Sequence, residues 1–153
     1  MRSGESAPTS HDSHLTAHLR NLPHRPPFVF VREILSCDPG KAAECATLFD
    51  PNDPMFAGHF PGNPLVPGVI LTEALAQTAG IAGASGAEEG ETPRKFLLSA
   101  IRQMKFAAAV RPNERIILHA EKTGQIGELW QFTVSATVNG REVASGQIVL
   151  NSA

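Results

Sequence analysis

Hydrophobic positions along this chain fall into three regimes. From Phe28 to Asp50, apolar and branched residues recur in two short runs, FVFVREILSC and KAAECATLFD. Asp38-Pro39-Gly40 separates them, and Pro51-Asn52-Asp53-Pro54 ends the second, which predicts a β-hairpin. From Pro67 the spacing changes. Val69, Ile70, Leu71, Ala74, Leu75, Ala76, Ala79, Ile81 and Ala82 are apolar on nearly every face, the pattern of a helix buried all round, with Pro67 suited to its first position. After the polar loop GAEEGETP, alternation returns in four runs, KFLLSAIRQMKF, ERIILHAEKTG, ELWQFTVSATV and REVASGQIVL. Arg111-Pro112-Asn113, Gln125-Ile126-Gly127 and Asn139-Gly140 divide them, and the last pair is a strong two-residue hairpin signal. Trp130, Phe132, Val134, Ala136 and Val138 share one strand face, opposite Gln131, Thr133, Ser135 and Thr137, so one side of the sheet is polar. Two strands, a buried helix and four more strands predict an α+β fold: a mostly antiparallel sheet with the helix against its concave face.

Composition narrows the function classes. A chain of 153 residues, 42% of them apolar, suits one domain, read here as residues 13–153 behind a flexible tail, 1–12, too poor in apolar residues to order itself. Asp12 or Ser13 can cap a short helix in which Leu15 and Leu19 share a face, stopping near Leu22 before Pro23. His11, His14 and His18 have helical spacing but no acidic or thiol partner to complete a metal shell, so they read as solvated histidines. A net charge of −2 gives no basic field to hold nucleic acid or an anionic membrane. No apolar run is long enough to span a bilayer and the first residues lack the core of a signal peptide, so a cytoplasmic location is expected. Cys37 and Cys45 lack metal-type spacing and read as buried free thiols.

The candidate chemistry lies where the second regime begins. Pro61, Gly62, Pro64, Pro67 and Gly68 shape a tight loop that carries one histidine, His59. Within the apolar helix sit Glu73 and Gln77, four apart and on one face. A carboxylate in such surroundings is costly unless it is paired, neutralised or used. Taken alone, His59 can be structural and Glu73 a cap or bridge, as readily as either can be catalytic.

The combination is more specific than its parts. PHRPPF, then GHFPGNPLVPGV and EALAQTAG, then LLSAIRQMKF and a late NG turn, resembles the FabZ-type 3-hydroxyacyl-[acyl-carrier-protein] dehydratases over Leu22 to Val149. The most specific signal is HFPGNPxxPG followed five residues later by Glu73. The resemblance implies a hot-dog fold, in which an antiparallel sheet wraps the central helix. It also implies a homodimer, or a trimer of such dimers, with His59 of one protomer facing Glu73 of its partner. The activity implied is a metal-free, cofactor-free lyase acting on a 3-hydroxyacyl thioester carried by acyl carrier protein or coenzyme A.

His59 would take the C2 proton, Glu73 would protonate the departing hydroxyl, and Gln77 would orient Glu73. The Gly68 N–H would bond the thioester carbonyl, with Phe60 and Pro67 completing the substrate-binding set. His24 and Arg25 would fix the entry turn, and His119 has no role. Ala76, Ala79, Gly80 and Gly83 would give close packing of helix on sheet. The sister FabA-type enzymes carry Asp where this chain has Glu73, which makes isomerase activity less expected. Pro26 replaces an aromatic residue, tyrosine is absent, and Ala107 and Ala108 stand where a pair of arginines is common. Arg102, Lys105 and Arg111 remain to meet an acidic carrier. A hot-dog thioesterase and a non-catalytic acyl-thioester-binding module are the alternatives; a DNA-binding regulator would need an element for which the tail leaves no room.

Overall fold

The computed structural model describes residues 18–152; the expected tail and the cap at Asp12 or Ser13 lie outside them. Six strands form one antiparallel sheet: β1 (Glu33–Asp38), β2 (Ala42–Thr47), β3 (Phe96–Phe106), β4 (Ile116–Ile126), β5 (Leu129–Val138) and β6 (Arg141–Ser152). Their order across the sheet is β1-β2-β4-β5-β6-β3. A short helix, α1 (Met55–Gly58), and a long one, α2 (Gly68–Ala84), lie between β2 and β3 in the chain. From Leu71 to Ala84 every residue of α2 except Glu73 is buried. Trp130, Phe132, Val134, Ala136 and Val138 are buried in the core that α2 shares with the sheet. Each large side chain fully buried there, such as Phe132, Leu75 or Ile148, contributes about 1.5–3 kcal/mol of transfer free energy. This is the α+β, hot-dog architecture that the pattern and the resemblance predict.

The turns carry their expected chemistry with one shift. Asn139 and Gly140 have φ of 51° and 76°, the pair of positive values a two-residue type I′ hairpin needs. The β4–β5 turn lies later than Gln125-Ile126-Gly127. Ile126 still pairs with Leu129, and the chain reverses at Gly127 and Glu128, where Gly127 takes φ 58°.

Three local expectations are corrected by hydrogen bonding. The first strand begins at Glu33 instead of Phe28, because the side chain of Gln77 on α2 takes up this backbone: Phe30 N–H donates to Gln77 Oε1 (2.9 Å) and Gln77 Nε2 donates to Phe28 O (3.0 Å). Pro67 is the N-cap of α2, with an extended ψ of 136°, and the first helical residue is Gly68. The turn α1 is a helix that the periodicity did not signal; it starts where Met55 N–H donates to Asp53 Oδ1 (2.9 Å).

Small residues let backbones close on α2. A Cβ on Gly83 would lie 2.7 Å from the Phe96 ring. At the far end of the helix the β1–β2 turn meets it directly: Gly40 N–H donates to Ser85 Oγ (3.2 Å), and a Cβ on Gly86 would lie 2.9 Å from Gly40 Cα. Both cysteines are free thiols; Cys45 is buried and Cys37 half-buried. Burial pushes the Cys45 thiol up to about 12, only partly offset by its hydrogen bond with Thr78. Among the described residues no helix is long and apolar enough to cross a membrane.

Candidate active site

The loop after α1 fixes His59 in a defined tautomer. Its Nδ1 lies 2.9 Å from the carbonyl oxygen of Leu65, which can only accept, so Nδ1 carries the hydrogen and Nε2 keeps a lone pair in the neutral ring. Phe60 follows with φ 64°, a left-handed conformation that costs a bulky residue on the order of 1–3 kcal/mol. The turn holds it there through Asn63 N–H to Phe60 O (2.9 Å), and the Phe60 ring lies 4.3 Å from that of His59, centroid to centroid.

His59 opens onto a groove of about 430 Å³ lined by Leu65, Val66, Gly68, Leu71, Phe106 and the segment 107–110. Val66 N–H donates to Val110 O (2.8 Å) and Ala107 N–H to Val143 O (2.8 Å), which ties this wall to the sheet. Gly68, the first residue of α2, lies in the same groove. The backbone bonds at this end of α2 begin with Ile70 and Leu71 N–H to Pro67 O (both 3.0 Å), which leaves the Gly68 and Val69 N–H groups at the positive end of the helix, and the groove is lined by a neutral imidazole and by this amide end. The Phe106 ring covers Gly68 so closely that a Cβ there would stand 3.1 Å from it.

Glu73 lies one turn and a half further along α2 and does not share this groove. Among the described residues no ion pair joins it to His59. Nor is it an isolated carboxyl among apolar groups, as the helix pattern suggests. His24 Nε2 lies 3.1 Å from Glu73 Oε1, and Gln77 Nε2 donates to the same oxygen at 3.3 Å. The expected pairing of Glu73 with Gln77 is present; the contact with His24 is not legible in the sequence, because 49 residues separate the two. Arg25 does fix the entry turn, with Nη1 2.7 Å from the carbonyl oxygens of Leu22 and His24.

Of the three cations expected near an acidic carrier, Arg111 stands at the rim, where its Nη1 donates to Asn63 Oδ1 (2.9 Å) beside the groove residue Val110. Arg102 lies elsewhere: it lines a separate depression with Gln131 and Val149, residues that alternate with the core-facing Trp130 and Ile148. Lys105 is likewise across from Ser145 and Ser135, on the outer face of the sheet. His119 is 3.9 Å from Glu44 on the neighbouring strand, alternates with the buried Leu118 and Ala120, and does not line the groove. Among the described residues no cluster of three or more His, Cys, Asp or Glu side chains could hold a metal ion.

Residues 22–147 match the family model for the FabA-like domain. The chain is 36% identical over 132 residues to 3-hydroxyacyl-[acyl-carrier-protein] dehydratase FabZ of Dechloromonas aromatica, covering 86% of this chain and 92% of that protein. It is 41% identical over 127 residues to the FabZ of Acetivibrio thermocellus, covering 83% and 86%. Among solved structures, the dehydratase heterocomplex ApeI:P from Xenorhabdus doucetiae superposes with a TM-score of 0.75 at 17% identity, over 89% of this chain and 90% of that one.

Proposed function

Because the chain belongs to the FabA-like family, with FabZ dehydratases as relatives along most of its length, we propose that it dehydrates 3-hydroxyacyl thioesters on acyl carrier protein to trans-2-enoyl thioesters. The observation that carries the reading is the groove that His59, bonded through Nδ1, and Gly68, at the amide end of α2, line together. His59 Nε2 takes the proton from C2, and the thioester oxygen gathers charge against the Gly68 N–H. As the C2–C3 double bond forms, the C3–O bond breaks, and Glu73 gives its proton to the departing hydroxyl, which leaves as water. Solvent then returns the proton held by His59 to Glu73, so the cycle gains and loses none. Pro67 sets the entry to the helix, and Phe60, outside the lining of the groove, packs its ring beside that of His59.

One chain does not complete this set, and its surface supports how a second copy would. Strand β3 ends the sheet, and its core-side row, Leu98, Ile101 and Phe106, is 43–50% exposed. An unpaired apolar edge of this kind is open to a partner strand. A homodimer formed along it brings Glu73 of the partner to His59. Arg111, beside the groove residue Val110, is then a cation available to an acidic carrier.

Dehydration is tested by following the conjugated enoyl absorbance with 3-hydroxyacyl thioesters on carrier protein and on coenzyme A. His59→Ala and Glu73→Gln should each lose about 10²–10⁴-fold in kcat. Mixing the two inactive variants under exchange should restore about a quarter of wild-type activity, since half the dimers are mixed and each of those holds one intact site. Wild-type protein that forms no enoyl product, or releases free thiol from saturated thioesters instead, would refute the reading. Failure of the mixture to regain activity would refute the shared site.

A further inference from the structure

A second histidine stands against Glu73, and the chemistry above does not use it. His24 Nε2 and Gln77 Nε2 converge on the same oxygen, Oε1, at 3.1 and 3.3 Å. Among the described residues no hydrogen bond or ion pair reaches Oε2. The imidazole is held in place: it stacks on Phe28 with centroids 6.0 Å apart and planes 24° from parallel, and Arg25 braces the carbonyl oxygen of His24 itself. Phe28 is in turn tied to Gln77 through its carbonyl. His24 Nδ1 is buried with no hydrogen-bond partner. A hydrogen there would be a buried donor left unmet, so the ring hydrogen sits on Nε2 and points at Oε1.

From this geometry we infer that His24 is a positioning residue for the dehydration, acting through Glu73. Together with Gln77 it saturates Oε1 with two N–H donors, so the acidic proton of Glu73 sits on Oε2. The inference rests on Glu73 being the acid proposed above. A carboxyl has one proton and two oxygens, and an oxygen that already accepts two N–H bonds is a poor place for it. The two donors therefore fix both the rotation of the carboxyl and the oxygen from which the proton departs. Once the proton has gone, the same donors stabilise the carboxylate left behind. With Gln77 alone, the carboxyl can turn and present its proton along the wrong direction. A misplacement of about 1 Å in such a group costs on the order of 10²-fold in rate.

The test compares three full-length variants. His24→Phe keeps a ring to stack on Phe28 and removes the N–H; His24→Gln and His24→Asn return an N–H donor on an amide. The expected result is a fall in kcat of about tenfold or more for His24→Phe, with KM within about threefold of wild type, and recovery of a third or more of that loss, on a logarithmic scale, in at least one amide variant. Thermal midpoints measured alongside separate this from unfolding. A His24→Phe enzyme within about twofold of wild-type kcat, an effect on KM alone, or equal losses in all three variants would overturn the inference. If His24→Phe does not fold, His24→Leu replaces it as the variant without an N–H donor, and the same limits on kcat, KM and amide rescue apply. Wild-type protein with no turnover would instead remove the dehydration itself, a result that the variants cannot produce.

Discussion

Replacing Gln77 by leucine tests the link between the central helix and the segment that enters the fold. Gln77 is 1% exposed and serves three partners: Phe30 N–H, Phe28 O and Glu73 Oε1. Leucine fills a similar volume but can serve none of them. The Phe28 and Phe30 backbone groups are only partly buried, so the loss sits near the low end of the 1–3 kcal/mol that each unmet group costs, about 2–3 kcal/mol for the pair. At roughly 2–4 °C per kcal/mol for a domain of this size, the midpoint should fall by about 5–10 °C at a fixed protein concentration. Hydrogen exchange at the Phe30 amide should quicken more than at amides in β5, because only the former loses its acceptor. Gln77→Glu is the discriminating partner. It keeps an acceptor for Phe30 N–H but loses the N–H bonds to Phe28 O and Glu73 Oε1, so the Phe30 amide should exchange more slowly in it than in Gln77→Leu. A Gln77→Leu midpoint within about 2 °C of wild type would refute the reasoning, since the side chain would then carry none of the backbone it bonds.

Three further outcomes follow from particular contacts. Gly68→Ala should leave stability nearly unchanged, because the half-exposed Phe106 ring can yield to a methyl 3.1 Å away, yet lower kcat by about tenfold by crowding the helix amide end; unchanged kinetics would remove Gly68 from the site. Gly83→Ala meets the buried Phe96 ring at 2.7 Å, and Phe96 is itself packed edge-on against Trp130, so calorimetry should show a loss of about 1–3 kcal/mol despite the better helix propensity of alanine. The raised Cys45 thiol gives stability an alkaline limit. Below pH 9 both folded and unfolded chains keep the proton; between 9 and about 12 only the unfolded chain loses it, so stability should fall as pH rises through that window, and Cys45→Ala should flatten the fall even though it lowers stability overall. A wild-type curve as flat as that of Cys45→Ala would contradict it.

Much of this was legible because pattern and tertiary structure agree. The all-apolar face of α2, the Asn139-Gly140 turn and the alternation in β5 each point to the observed element, and the loop motif with Glu73 points to the family. The misses have a common physical origin. Phe28 to Arg32 has strand-like composition, yet the hydrogen bonds of Phe28 and Phe30 go to a side chain 49 and 47 residues away, and no local rule can foresee that. In the sequence His24 reads as a turn residue because its partner, Glu73, is equally remote. Composition puts the β4–β5 turn early, at Gln125-Ile126-Gly127, although the ladder runs to Ile126 before that glycine reverses the chain. A site completed by a second protomer is implied only by the resemblance, since one chain places His59 and Glu73 in different surroundings.

The contact between Gly40 and Gly86 has a consequence for how the fold can vary. There the tip of the first hairpin and the end of the central helix touch main chain to main chain, with no side chain between them to absorb a change in length. An extra turn of helix would drive into the hairpin, and a longer hairpin would ride over the helix. The junction therefore works as a gauge block: it fixes how far α2 runs, and through the pairing of β2 with β4 it hands that measure on to the rest of the sheet.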